Sequence, residues 1–270
     1  MIKRVAGTLL AAMAIGAFVA APAGAVQASD FNAIVALNNC SGSVVRPPAA
    51  KDTDPALVMS NGHCVKFMGA NEVIVNQSAS RTFTLLNRNA QPLGTLRATK
   101  LAYATMKDTD VSFYQLSQTY AQIQSQYNTP ALELATSKPA PGSSIEVRSG
   151  YWKRIYSCHV DGFVHQLKED VWTWRDSVRY KSESTCNTIG GTSGSPVVDT
   201  ASNKVVAVNN TANESGGRCT LNNPCEVSQT GQVTVRNGYK YGQQTYNIPA
   251  CIGAGNQFTL TAPGCTLPRR

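Results

Sequence analysis

The segment NTIGGTSGSPVVD, positions 187–199, carries two serines, Ser193 and Ser195, in a glycine-rich turn that runs into an apolar stretch. A serine hydroxyl is a weak nucleophile near neutral pH. It needs an adjacent base, and the base needs a third group to hold its tautomer. Histidine is the usual base, and the chain has three, His63, His159 and His165, all of which precede Ser193. His63 lies in ALVMSNGHC, just past a strand-like run and directly before Cys64, so a bridge from Cys64 would hold the segment that carries it. Asp110, in MKDTDVSFYQL, opens an alternating apolar strand. A carboxylate buried there can take one imidazole nitrogen and leave the other free to face the serine. Asp108 lies further from that strand and reads as a solvated turn residue. His159 and His165 flank CHVDGFVH, a strand and turn with no serine-side motif nearby, and read as structural.

The order of these residues excludes two common arrangements. In α/β-hydrolases the histidine follows the serine, and the residue two beyond the nucleophile is Gly where this chain has Ser195. An order of Asp, His, Ser using Asp52 or Asp54 belongs on an α/β chain. The remaining order is His63, Asp110, Ser193, with intervals of 47 and 83 residues.

The elements that must position these groups are short and β-like. FNAIVAL (31–37), SGSVV (41–45), ALVMS (56–60), NEVIVN (71–76) and RTFTLLN (81–87) are separated by Gly, Pro, Asn and Asp. SSIEVRSG (143–150), SPVVD (195–199), KVVAVN (204–209) and QVTVR (232–236) continue the pattern. Short strands at regular turn spacing predict an all-β sandwich or barrel. SQTYAQIQSQY (117–127) is polar with weak helical spacing and reads as a connector between two groups of strands.

Residues 1–28 have the layout of a secretory signal peptide: Lys3 and Arg4, an apolar run from Val5 to Ala21, then Ala23-Gly24-Ala25. Cleavage is expected after Ala25 or Ala28, giving a secreted or periplasmic product with no membrane segment. Losing Lys3 and Arg4 lowers the formal net charge from +8 to +6, and the remaining positives are too scattered for a nucleic-acid stripe. All eight cysteines, 40, 64, 158, 186, 219, 225, 251 and 265, lie after the leader. An even count behind an export signal argues for disulfides, with 105 possible pairings. Cys158-His159 with His165 fits no common zinc spacing, so no metal and no organic cofactor is expected.

With these residues in place the sequence resembles the chymotrypsin-like (trypsin-fold) serine endopeptidases, in particular their exported bacterial branch. ALVMSNGHC is similar to the family's strand ending in Ala-His-Cys, CSGSVV to the strand whose cysteine bridges to it, TDVSFYQL to its Asp-Val/Ile-Ala-Leu segment, and GGTSGSPVV to Gly-Asp-Ser-Gly-Gly-Pro. The resemblance implies two six-stranded antiparallel β-barrels over 29–250, joined near 117–140 with the site between them, and an irregular tail at 251–270. It implies Ser193 as nucleophile, His63 as general base, Asp110 as its orienting carboxylate, and the N–H groups of Gly191 and Ser193 as oxyanion hole. It implies a Cys40–Cys64 bridge; proximity adds Cys219–Cys225 and Cys251–Cys265, which leaves Cys158–Cys186. The specificity pocket is expected from Asn187, Thr188, Val208, Asn209 and Asn210, with Asn187 at the floor. With no Asp there, an uncharged polar or small side chain is favoured, and an acidic one requires Arg218 or another cation to reach in. The partner is a protein or peptide substrate, and the enzyme a monomer.

The chain departs from the family pattern at Thr192, where digestive members have an Asp that pairs with a new N-terminus. The segment Ser29–Asn39 is short for a folding pro-region, so competence after leader removal or a small trim is expected. Ser195 in place of Gly is similar to the glutamyl-endopeptidase branch, as is Thr188, yet that branch uses a histidine after the serine and this chain has none. A catalytically inactive binding protein and a serine esterase on the same scaffold are the competing readings.

Overall fold

Runs rich in Val, Ile, Leu and Tyr form, among the described residues, sixteen strands in two sheets. The structure, a computed structural model, describes residues 1–2, 30–181 and 183–270; from residue 3 onward the expected signal segment lies outside the described residues. The first sheet holds β1 (Ile34–Ala36), β2 (Ser41–Arg46), β3 (Pro55–Ser60), β4 (Val73–Ser78), β5 (Thr82–Leu86), β6 (Pro92–Thr105) and β7 (Val111–Thr119). Its pairing order β1-β5-β6-β7-β3-β2 returns from β2 to β1, so six antiparallel strands close into a barrel, and β4 pairs with β6 beside it. Closure removes the open edges that an isolated sheet would leave.

A short helix, α1 (Tyr120–Tyr127), follows β7. Its start is set by a capping box in which Thr119 and Gln122 exchange side-chain-to-backbone hydrogen bonds. The SQTYAQIQSQY connector is therefore helical only in its later part, because its first three residues still belong to β7. After β8 (Leu132–Glu133), which runs parallel to β2, the chain enters the second sheet.

That sheet contains β9 (Ser144–Ser149), β10 (Arg154–Glu169), β11 (Trp172–Tyr180), β12 (Pro196–Asp199), β13 (Lys204–Ala212), the hairpin β14 (Cys225–Val227) and β15 (Val233–Val235), and β16 (Lys240–Gln244). The order β11-β16-β13-β12-β9-β10 comes back through the β10–β11 pairing, giving a second six-stranded ring. β10 runs unbroken through CHVDGFVH, with a register shift between Val160 and Gly162 where a turn was expected. One extra residue there bends the strand without ending it. The chain is thus nearly all-β, with two rings as the sequence indicated.

The rings meet through tryptophans. Trp174 Nε1 donates to the Met106 carbonyl (3.1 Å) and Trp172 Nε1 to that of Met68 (2.9 Å), both across the interface. Asp108, on the β6–β7 loop, pairs with Arg175 of β11 at 2.9 Å.

Residues 251–270 are irregular in backbone but firmly fastened. They leave the second ring after β16 and cross the first. Phe258 stacks on Tyr103 (5.4 Å) and tilts against Phe113 (5.1 Å). Burying such a ring contributes about 1.5–3 kcal/mol. Gln115 Nε2 donates to Gly255 O (3.0 Å), Asn256 Nδ2 to Pro55 O (2.8 Å) and Tyr103 Oη to Pro268 O (3.0 Å). The bridge Cys251–Cys265 closes this segment, and the other pairs are Cys40–Cys64, Cys158–Cys186 and Cys219–Cys225.

Candidate active site

Asp110 precedes β7 and is 0% exposed. Its Oδ2 lies 2.6 Å from His63 Nδ1, and its Oδ1 accepts the His63 backbone N–H at 3.0 Å. Asn61 Nδ2 donates to the Asp110 carbonyl (2.8 Å), and Ser112 Oγ donates to that of Asn61 (2.8 Å), so the loop before His63 and the start of β7 are laced together. Gly62 makes this approach possible: a Cβ there would sit 2.2 Å from Thr105 O and 3.0 Å from Asp110 Oδ1. A carboxylate at Nδ1 selects the tautomer with its proton on that atom, leaving Nε2 a bare acceptor. Burial disfavours the charged imidazole. The charge and hydrogen bond of Asp110, with the charge of Glu169 behind them, outweigh it and hold the His63 pKa above its ordinary value. Asp108, the competing carboxylate, is turned to Arg175 instead.

Ser193 sits across the cleft. Its carbonyl accepts the Ser41 N–H (2.8 Å), and the next N–H, of Gly194, reaches Asn209 O (3.0 Å). Gly194 has φ +80°, and a Cβ on it would lie 2.2 Å from both Ser41 O and Ser60 Oγ, so only glycine fits after the serine. The Ser193 hydroxyl donates to Asn210 O at 3.3 Å. Among the described residues it has no hydrogen bond to His63, although both line one cavity of about 290 Å³. Such contacts are often loose before substrate arrives. Ser195, by contrast, is fully buried with no partner for its hydroxyl, packed at the start of β12.

The loop before Ser193 is held by its carbonyls. Trp152 Nε1 donates to Gly190 O (2.6 Å), and Ser41 Oγ donates to Gly191 O (3.1 Å). Gly191 has φ +86°, and a Cβ on it would meet Trp152 Nε1 at 2.9 Å. A trans peptide points its N–H opposite its C=O. With Gly190 O turned to Trp152, the Gly191 N–H points the other way, and no group among the described residues takes it or the Ser193 N–H.

Of the expected pocket residues, Thr188, Asn209 and Asn210 line the cavity, whereas Asn187 and Val208 do not. Cys186 is buried in its bridge to Cys158, and a tight turn closed by the Thr188 N–H on the Cys186 carbonyl (3.1 Å) leaves Asn187 exposed and Thr188 buried. On the strand β13, alternation sends Val208 into the core and its neighbour Asn209 to the cleft. Thr188 therefore takes the place expected for Asn187. Asn209 Oδ1 and both polar side-chain atoms of Asn210 are buried without a partner. Arg218 does not line the cavity. The charged side chains that do are Glu169 and Glu214, beside His63. Glu169 ends a long strand in no recognisable motif, and nothing in the sequence marks it.

Cys40, His63 and Cys64 come together closely enough to hold a metal, but the two sulfurs are bonded to each other and offer no thiolate. His159 pairs with Glu183 at 2.9 Å, away from the cleft.

This chain belongs to the trypsin-like peptidase domain family, whose profile matches residues 40–208. Its structural neighbours are chymotrypsin-like serine proteases, among them solved bacterial enzymes. It is similar to the active form of the Rv3671c protease from M. tuberculosis, at 14% identity over 97% of each chain with a TM-score of 0.50. It is also similar to a Nocardiopsis protease (13% identity, 82% of this chain and 94% of that one, TM-score 0.47) and a Cellulomonas bogoriensis chymotrypsin (18%, 81% and 92%, 0.44). No curated protein sequence gives a significant match.

Proposed function

We propose that the protein is an exported serine endopeptidase that hydrolyses peptide bonds through an acyl-enzyme. The observation that carries the reading is the buried Asp110–His63 couple facing the cavity that also holds Ser193. The Ser193 hydroxyl rotates off Asn210 O and gives its proton to His63 Nε2 as its oxygen attacks the substrate carbonyl. Asp110 holds the imidazole in register and stabilises the imidazolium. The carbonyl oxygen, now negative, takes the open N–H groups of Gly191 and Ser193, each such donor contributing about 3–4 kcal/mol to lowering the barrier. The imidazolium then protonates the leaving amine, and water repeats the sequence on the ester. No step requires a metal or organic cofactor.

Four disulfides fit an extracellular or periplasmic protein, and no helix among the described residues is long and apolar enough to cross a membrane. In the cleft, two carboxylates and no lysine or arginine argue against an acidic side chain beside the cut and so against a glutamyl preference.

Fluorophosphonate labelling and digestion of a peptide library test the reading. Ser193→Ala abolishes both, and Ser195→Ala keeps both. Folded wild-type protein that takes no label would overturn the proposal, and label with cleavage of esters alone would make it an esterase.

A further inference from the structure

The wall of the cleft beyond His63 has a composition of its own. Glu169, at the end of β10, is 4% exposed. Its Oε2 accepts from Thr211 Oγ1 (2.6 Å) and its Oε1 from the Asn222 N–H (2.8 Å). Both donors are neutral, and no lysine or arginine among the described residues pairs with this carboxylate. Removing a carboxylate from water without a cation is costly, and burial pushes the Glu169 carboxyl up against its two hydrogen bonds.

Aromatic side chains share its cavity. Trp172 and Trp174 line the same cavity, each ring fixed by the indole hydrogen bond that crosses to the first barrel. Phe67 is 67% exposed, stacks on Trp172 at 5.9 Å and lies 6.4 Å from the His63 ring. The exposed phenyl at the cleft mouth packs its ring on a rigid indole. A buried anion and π faces attract the same group, a cation, and apolar walls suit the alkyl stem that carries one.

We propose that this wall is a subsite for a cationic side chain, lysine or arginine, on a substrate residue neighbouring the scissile bond. Glu169 is its specificity-determining group, and Phe67 with Trp172 forms its cover. The subsite shares its cavity with Thr188 and receives a different residue of the substrate from the one that Thr188 meets. It rests on the endopeptidase reading above for the identity of the ligand as a peptide.

The test uses Ser193→Ala protein, which binds peptides without cutting them. Neutral octapeptides, with a single lysine walked through every position and a norleucine match for each, are titrated by tryptophan fluorescence. Lysine binds about tenfold tighter than norleucine at one position, a gain that shrinks in ~1 M salt and disappears in Ser193→Ala/Glu169→Gln. Should that double variant fail to fold, Phe67→Ala on the same background, altering an exposed side chain, lowers the lysine advantage. Equal binding of lysine and norleucine everywhere, or an advantage that survives Glu169→Gln, overturns the subsite. Digestion of the same peptides by wild type separates the two proposals. Selective binding without any cleavage refutes the endopeptidase and leaves the subsite, whereas cleavage without selectivity refutes the subsite alone.

Discussion

The two halves of the cleft are finished to different degrees. On the first-barrel side Asp110 uses both carboxylate oxygens and its carbonyl, His63 is held by ring and backbone, and Gly62 lets them close together. On the second-barrel side the carbonyls of Gly190, Gly191 and Ser193 are tied, while the N–H groups facing the cleft and the side-chain atoms of Asn210 have no partner. A base must be oriented before substrate arrives. An anion hole is useful only when its donors are unspent and aimed at charge that does not yet exist. On the proposed mechanism, one half is preorganised by being satisfied and the other by being left open.

Asp110→Asn strikes the satisfied half and has the largest expected effect. An amide there favours the wrong imidazole tautomer, so kcat/KM should fall about 10⁴-fold while the fold, followed by circular dichroism, is retained. A loss of only tenfold would mean the tautomer is set elsewhere, and the contrast between the halves would fail.

Trp152→Phe strikes the open half. It keeps an aromatic ring but removes the donor that fixes the Gly190 carbonyl. Since losing a hole donor outright costs about 10²–10³-fold, loosening its brace should lower kcat about tenfold, with KM nearly unchanged. A rise in KM at constant kcat would reduce Trp152 to a contact for substrate.

The smallest effect is in pH. The His63 pKa is raised in the fold, so the His63–Asp110 interaction stabilises fully below the ordinary histidine value and is lost as pH rises through the folded one. The proposed activity runs the opposite way, because its base is the neutral ring. The rate of kcat/KM against pH should climb on a limb above 6.5, and Glu169→Gln should move that limb to lower pH by removing one of the charges that raise it. A limb that stays put would leave Asp110 as the sole electrostatic partner.

Much of this was legible in the residues. The order His63, Asp110, Ser193 left one arrangement standing, and the short β-branched strands showed the fold class. Other features could not be read. β6 passes from exposed to buried surroundings along its length, and β10 buries Tyr156, Cys158, Val160 and Val164 but then Leu167 and Glu169, so neither keeps one alternation. Thr188 replaces Asn187 at the cavity because the chain turns tightly at Asn187 after the bridged Cys186, a local geometry that composition does not record. Glu169 and Trp152 act through neighbours distant in sequence, Thr211 and Gly190, and single positions carry no sign of such partners.

The C-terminal strap has a consequence for survival. A protease released among copies of itself is cut wherever its own chain opens locally, and the join between two barrels is where such opening would begin. Here the end of one barrel is laid over the other and pinned by Phe258 and the Cys251–Cys265 bridge. If the chain acts as the proposed protease, its last twenty residues would brace that join against self-digestion, and Arg270 itself is docked, its Nε donating to Val73 O at 3.3 Å.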